Sequence, residues 1–268
     1  MTAIRTLGAV ALAGALASGC AGTVASQRQI PVSLPRPATL TGDIHKPAGD
    51  GPFPALVLLH GCSGIQPNTL AWAQWLVSQG YVALVLDSFS GRGMKRLCAD
   101  SSPLTGGARS WDVYAAAEYL AKQPFVDANR LGAVGWSHGG WTVLRAAGLE
   151  QVRSEVKLRA LIAFYPYCGD TPLYRSSIPM LMLLGAEDNW TPAAPCKLLA
   201  EEAQRNGLHV TAVVYPGAHH GFDAANLRQP IIIPDARRGA GATVAHDPKA
   251  HDDAEKQVKR FLQAELGR

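Results

Sequence analysis

The chain has 268 residues, five cysteines, 47% hydrophobic residues and a formal net charge of +4. That length suits one domain with a sizeable core, and no internal repeat divides it. The mild positive excess is spread along the chain with no basic block, which argues against a nucleic-acid partner.

In chain order, Arg5 supplies a positive start, residues 7–17 a short apolar stretch, and small residues lead into Cys20. Residues 1–19 therefore read as an export signal, too short to span a bilayer comfortably. Residues 20–36 are polar and Pro-containing and read as a tether, leaving 37–268 as the folded domain. Residues 39–46 alternate as a strand, and 47–54 form a turn-rich break. Ala55-Leu56-Val57-Leu58-Leu59 is a continuous apolar run, expected to be a strand buried on both faces. The following helix places Leu70, Ala73, Leu76 and Val77 on one face. Residues 81–86 give the next buried strand, and 89–108 a long loop. A helix over 110–121 follows, then strands ending near residues 134, 165, 184 and 215. A helix near 193–206 separates the last two strands. The last helix spaces Ala254, Val258, Phe261, Leu262 and Leu266 on one face. Strands alternating with helices predict an α/β fold with a mainly parallel central sheet covered by helices on both faces.

The strand ending at Val134 runs into Gly135-Trp136-Ser137-His138-Gly139 and then a helix. Strand, tight glycine turn and helix in that order form a nucleophile elbow, which holds a serine hydroxyl clear of the sheet. The two later strands end in Gly185-Ala186-Glu187-Asp188 and in His219-His220-Gly221-Phe222-Asp223. Acid and base candidates therefore follow the carboxyl ends of their strands, the edge where open α/β sheets bind ligands. The order Ser, Asp, His is that of the α/β-hydrolases. A serine hydroxyl needs a general base, assigned to His220, with Asp188 holding its tautomer. His219 is the alternative base, and Glu187 or Asp170 the alternative acid. Arg92 in the long loop is either a carboxylate-binding or a structural arginine. Trp72, Trp75 and Trp136 read as packing, and the His138 side chain as a polar group at the pocket rim.

Ala17-Ser18-Gly19-Cys20 resembles the lipobox of bacterial lipoproteins, which marks Cys20 for lipidation; simple secretion is the alternative. Both place the protein in the periplasm or on the cell envelope, with no membrane contact beyond a lipid anchor. Cys62, Cys98, Cys168 and Cys196 remain, an even number in an oxidising compartment. Of three possible pairings, Cys62–Cys98 and Cys168–Cys196 each join neighbouring loops at the active-site edge. Each would stabilise the fold by about 3–4 kcal/mol. No Cys-x-x-Cys spacing or His-rich set points to a metal.

The segments Leu59-His60-Gly61-Cys62-Ser63-Gly64, Asp87-Ser88-Phe89, Gly135-Trp136-Ser137-His138-Gly139-Gly140, Gly185-Ala186-Glu187-Asp188 and His220-Gly221-Phe222 resemble the dienelactone hydrolase family. The resemblance runs from residue 37 to the C-terminus and implies the α/β-hydrolase fold. It also implies cleavage of a carboxylic ester or lactone through an acyl-enzyme, with a small-molecule substrate and no cofactor. Ser137, His220 and Asp188 take the triad roles, and the backbone N–H groups of His138 and Cys62 form the oxyanion hole. A Cys62–Cys98 bridge would brace the second donor. The namesake enzymes carry cysteine at the elbow and are intracellular, whereas this chain has Ser137 and reads as exported. Peptidase, acyltransferase and non-catalytic envelope binding protein are the other functions this fold supports.

Overall fold

The apolar runs fold as strands because both of their faces are covered. The computed structural model describes residues 23–24, 27–33, 35–152, 155–171 and 173–267. Residues 1–19, read as an export signal, and Cys20 lie outside the described residues. The chain forms β1 (Thr23–Val24), β2 (Arg28–Val32), β3 (Ala38–Lys46), β4 (Phe53–Leu59), α1 (Pro67–Ser78), β5 (Val82–Asp87) and α2 (Gly106–Ala121). It continues with β6 (Val126–Trp136), α3 (His138–Ala146), β7 (Leu158–Phe164), β8 (Met180–Gly185), α4 (Ala193–Arg205) and β9 (Val210–Tyr215). The last elements are β10 (Ile231–Ile233), α5 (Ala236–Gly239), β11 (Ala242–Val244) and α6 (Pro248–Leu266).

The central sheet runs β3-β5-β4-β6-β7-β8-β9, with β1 and β2 both paired to β3. Its pairs from β5 to β9 are parallel, and β3 joins antiparallel. Alternate residues of the strands from β4 to β9 feed two cores. Ala55, Val57 and Leu59 of β4 pack with α2, α3 and α4 on one face. Leu56 and Leu58 pack with α1 and α6 on the other. β10 and β11 pair as a separate two-stranded ribbon.

Parallel registers bring the strand ends together. Leu59 stands opposite Gly135, Trp136 opposite Phe164, Phe164 opposite Leu183, and Gly185 opposite Tyr215. The residues that follow β4, β6, β7, β8 and β9 therefore share one edge. Strand order reverses about β4 and β6, which opens the crevice where such sheets bind ligands.

Three expectations need correction. The segment read as a tether contains β2, whose Ile30 is fully buried against β3. Its alternation of Ile30 and Val32 outweighs Pro31, which an edge strand tolerates because no neighbour needs its missing N–H. On α1 it is Trp72, rather than Leu70, that joins Ala73 and Leu76 in the core; Leu70 is 41% exposed. Helix α2 starts at Gly106, earlier than residue 110, because Thr105 Oγ1 accepts the Ala108 N–H as a cap.

Candidate active site

β6 hands directly to α3 through Ser137, whose backbone sits at φ 55°, ψ −115°. That left-handed conformation is costly for a residue with a side chain and is a mark of functional turns. It survives because its neighbours leave no slack. A Cβ on Gly135 would lie 2.2 Å from the Gly139 carbonyl oxygen, and one on Gly139 only 1.9 Å from that of Leu59. The Ser137 N–H donates to Phe164 O at 2.9 Å, and its carbonyl accepts from Trp141 N at 2.9 Å.

His220 reaches the serine from the loop after β9. Its Nε2 lies 2.9 Å from Ser137 Oγ, and its Nδ1 lies 2.8 Å from Asp188 Oδ2. With Nδ1–H donated to the carboxylate, Nε2 presents its lone pair to the serine hydroxyl. Asp188 Oδ1 accepts the N–H groups of Trp190 (2.8 Å) and Thr191 (2.9 Å). Burial opposes its ionisation, but the facing imidazole and these N–H groups prevail and hold the carboxyl below its ordinary pKa. Thr191 Oγ1 lies 3.0 Å from Asp188 Oδ2, 2.9 Å from Tyr165 O and 3.1 Å from His220 Nδ1. The His220 ring is held between Tyr165 and Trp190, with centroids 4.5 and 4.8 Å away. Tyr165 itself has φ 36°, and its hydroxyl donates a hydrogen bond to the buried Asp223 carboxylate at 2.6 Å. Asp223 also accepts from Trp72 Nε1 at 2.9 Å and Asn68 Nδ2 at 3.1 Å.

The two main-chain donors expected from sequence belong to the turns after β4 and β6. His138 is the first residue of α3, so its N–H has no intrahelical acceptor. The Cys62 N–H, in the loop after β4, donates to no acceptor among the described residues. That loop is tied twice to the long loop after β5: by the Cys62–Cys98 disulfide and by Leu97 N–H to Cys62 O at 2.8 Å. The second disulfide joins Cys168 to Cys196.

The His138 side chain is not a rim group, as the sequence reading has it. It is buried, with Nδ1 accepting from Arg109 Nη1 at 3.1 Å and Nε2 donating to Leu104 O at 2.9 Å. Burial and the adjacent guanidinium push its pKa down to about 3. The same Nη1 donates to His60 O at 2.8 Å. Arg109 is fully buried, and burial lowers its pKa to about 10, so it stays charged near neutrality.

The rival assignments fall away from the serine. His219 Nδ1 donates to Glu187 O at the surface. Asp170 takes Trp141 Nε1, and Arg92 forms a two-pronged pair with the buried Asp112. Trp136 stacks on Phe164, and Trp72 packs edge-on to Trp75. Arg109, Tyr165, Thr191 and Asp223 were not singled out from sequence. Arg109 left one trace: it shares a helical stripe with Val113, Ala116 and Leu120, all buried, where a lone cation is out of place.

Ser137 opens into two cavities. One, of about 330 Å³, is lined by Cys62, Leu97, Asp100, Trp141, Tyr167 and Trp190. The other, of about 160 Å³, is lined by Trp136, Tyr165, His220, Leu227, Ile231 and Val244 among others. The long loop after β5 and the residues after β9 thus shape the site.

A parallel sheet with helices on both faces, a strained serine turn and this strand-end site define an α/β-hydrolase. Residues 40–266 match the family model described as "Dienelactone hydrolase family", and the chain belongs to that family of carboxylic ester hydrolases. Among curated relatives, a protein of Bradyrhizobium sp named "Probable 2-oxo-3-(5-oxofuran-2-ylidene)propanoate lactonase" is 27% identical over 192 residues. That match covers 66% of this chain and 76% of the relative. Esterase FrsA of Escherichia coli O81 (strain ED1a) is 29% identical over 139 residues, 49% of this chain but only 30% of FrsA. A solved structure of the dienelactone hydrolase-like promiscuous phosphotriesterase P91, from metagenomic libraries, superposes with a TM-score of 0.67 at 22% identity. It covers 90% of this chain and 99% of P91.

Proposed function

We propose that the protein hydrolyses a small carboxylic ester or lactone through an acyl-enzyme on Ser137. The observation that carries this reading is the unbroken relay from Ser137 Oγ to His220 Nε2, at 2.9 Å, and from His220 Nδ1 to Asp188 Oδ2, at 2.8 Å. His220 takes the serine proton as Oγ attacks the ester carbonyl, and Asp188 stabilises the imidazolium that results. The N–H groups of Cys62 and His138 receive the negative oxygen of the tetrahedral intermediate, each worth ~3–4 kcal/mol where such a donor has been removed. Collapse breaks the ester C–O bond, and His220 returns the proton to the leaving alkoxide. Water, deprotonated by the same imidazole, then cleaves the acyl-enzyme. In a lactone, the leaving alkoxide stays tethered to the acyl group.

The lactonase and esterase names of the relatives support an ester substrate class. Export belongs to the same reading: residues 1–19 carry the pattern of a signal segment, and Cys20 is the proposed lipid anchor. The two disulfides support an oxidising compartment.

p-Nitrophenyl esters from acetate to octanoate, offered to the protein and to Ser137→Ala, test the reading. Turnover that disappears in the variant is expected, with the chain-length optimum sizing the acyl cavity. Equal rates for both proteins would remove Ser137 as nucleophile.

A further inference from the structure

Beneath the two main-chain donors lies a charged group that the relay does not use. Arg109 is buried to 0% exposure, and its Nη1 alone makes both of its hydrogen bonds, to His60 O and to His138 Nδ1. His60 O belongs to the peptide immediately before Gly61–Cys62, the peptide that carries one donor. His138 carries the other donor on its own main chain. One nitrogen therefore links the two strand-end turns, after β4 and after β6, that must be held at a fixed spacing to receive one oxygen atom.

Stability alone gives little reason for this arginine. Its Nε and Nη2 have no hydrogen-bond partner among the described residues. The nearby carboxylate, Asp112, is already held by both prongs of Arg92, at 2.7 and 2.9 Å. Two buried guanidinium groups thus share one fully buried carboxylate, and the partly exposed Asp87 is the other negative charge that acts on Arg109. The ring of Phe89 also faces the guanidinium, with its centroid 5.0 Å away. A buried, under-paired cation costs folding energy. It is well placed to favour a reaction in which negative charge develops nearby.

We infer that Arg109 is a positioning residue for the oxyanion hole, clamping the Cys62 and His138 turns together and biasing the site toward a negatively charged intermediate. The inference rests on the serine-hydrolase reading above. It makes the imidazole of His138 a strut between Arg109 and Leu104 O. That explains why a histidine beside the nucleophile is kept neutral.

The test compares Arg109→Met and Arg109→Lys with the unaltered protein on one p-nitrophenyl ester. Rates are counted per site labelled by a fluorophosphonate, so that misfolded protein does not enter kcat. Inhibition by a trifluoromethyl ketone, which reports binding of a tetrahedral oxyanion, is measured alongside. For Arg109→Met we expect kcat to fall about 10- to 100-fold, less than the loss of a donor itself, with KM little changed. Inhibitor affinity should fall by the same factor, and Arg109→Lys should recover part of both. A folded Met variant with kcat and inhibitor affinity within twofold of the unaltered protein overturns the inference, as does a rise in KM at constant kcat. If Arg109→Met does not fold, His138→Ala carries the test by removing the strut but not the N–H. A roughly tenfold lower kcat with parallel loss of inhibitor affinity supports the clamp, and unchanged values overturn it. An unaltered protein without Ser137-dependent turnover shows instead that the hydrolase reading itself has failed.

Discussion

His138 follows Ser137 in the chain, whereas His220 reaches it from 83 residues away, and both imidazoles are buried beside the same serine. His220 donates its Nδ1–H in a hydrogen bond to a carboxylate and turns a free lone pair toward the serine hydroxyl. His138 accepts a hydrogen bond from a guanidinium and donates one to the Leu104 carbonyl. A carboxylate partner makes a ring ready to accept a proton; a cationic partner forbids it. The electrostatics of the second contact therefore separate the proposed base from the proposed strut, and closeness to the serine does not.

The largest break in this comparison should come from exchanging each ring for an amide. His220→Gln keeps a similar size but cannot shuttle the proton, and kcat should fall by about 10³- to 10⁶-fold. His138→Gln can still accept from Arg109 and donate to Leu104 O, so its cost should stay under about tenfold, the scale of one net hydrogen bond. Single-turnover acylation on both variants measures this directly. Comparable losses would show that the two histidines are not divided in this way.

How much of this asymmetry could be read from sequence follows from which contacts are local. The elbow, the strand-end acid and the strand-end base each announce themselves within a few residues, because a strand, its turn and its helix are contiguous. Parallel pairing then brings their ends to one edge, which strand alternation predicts. Arg109 belongs to a helix whose neighbours across the sheet depend on crossover packing, and no local pattern says that it meets the carbonyl of His60. Tyr165 and Asp223 meet across 58 residues for the same reason. β2 was hidden differently: five residues with two buried side chains carry too weak an alternation to outweigh a proline and polar flanks.

The two disulfides offer a second contrast of the same kind, with a smaller effect. Cys62–Cys98 and Cys168–Cys196 close loops of similar length, with separations of 36 and 28, and each should contribute about 3–4 kcal/mol in the chain-entropy model. Only the first carries a proposed oxyanion donor, the Cys62 N–H. Replacing Cys62 and Cys98 by serine should lower both Tm and kcat, whereas the same change at Cys168 and Cys196 should lower Tm alone. Matched kcat values for the two double variants would remove the bracing role from the first bridge.

Smaller again is the support behind His220. Tyr165→Phe keeps the ring against the imidazole but takes away one hydrogen bond to the buried Asp223, at a cost of about 1–3 kcal/mol in stability. The variant should retain most of its kcat, because Thr191 and Asp188 still orient Nδ1. Denaturant unfolding and esterase assays on one preparation separate the two quantities. A large loss of kcat with unchanged stability would make Tyr165 part of the chemistry.

Acid titration sharpens the comparison at its finest scale. His138 has a pKa of about 3 in the fold against an ordinary value of 6.5, because burial and then Arg109 disfavour the imidazolium. Its contribution to stability is therefore complete above pH 6.5. Below that the unfolded chain takes up a proton that the fold refuses, and stability drains away until about pH 3. His60, also buried and also beside Arg109, is shifted well down and acts in the same sense. Each such ring contributes at most about 1.4 kcal/mol per pH unit across that window. His138→Gln removes one of the two, so its stability between pH 6 and 4 should fall less steeply than that of the unaltered protein by about that slope. Denaturant unfolding at a series of pH values measures it. Parallel curves for the two proteins would mean that the His138 ring takes up its proton within the fold, and that Arg109 does not hold it neutral.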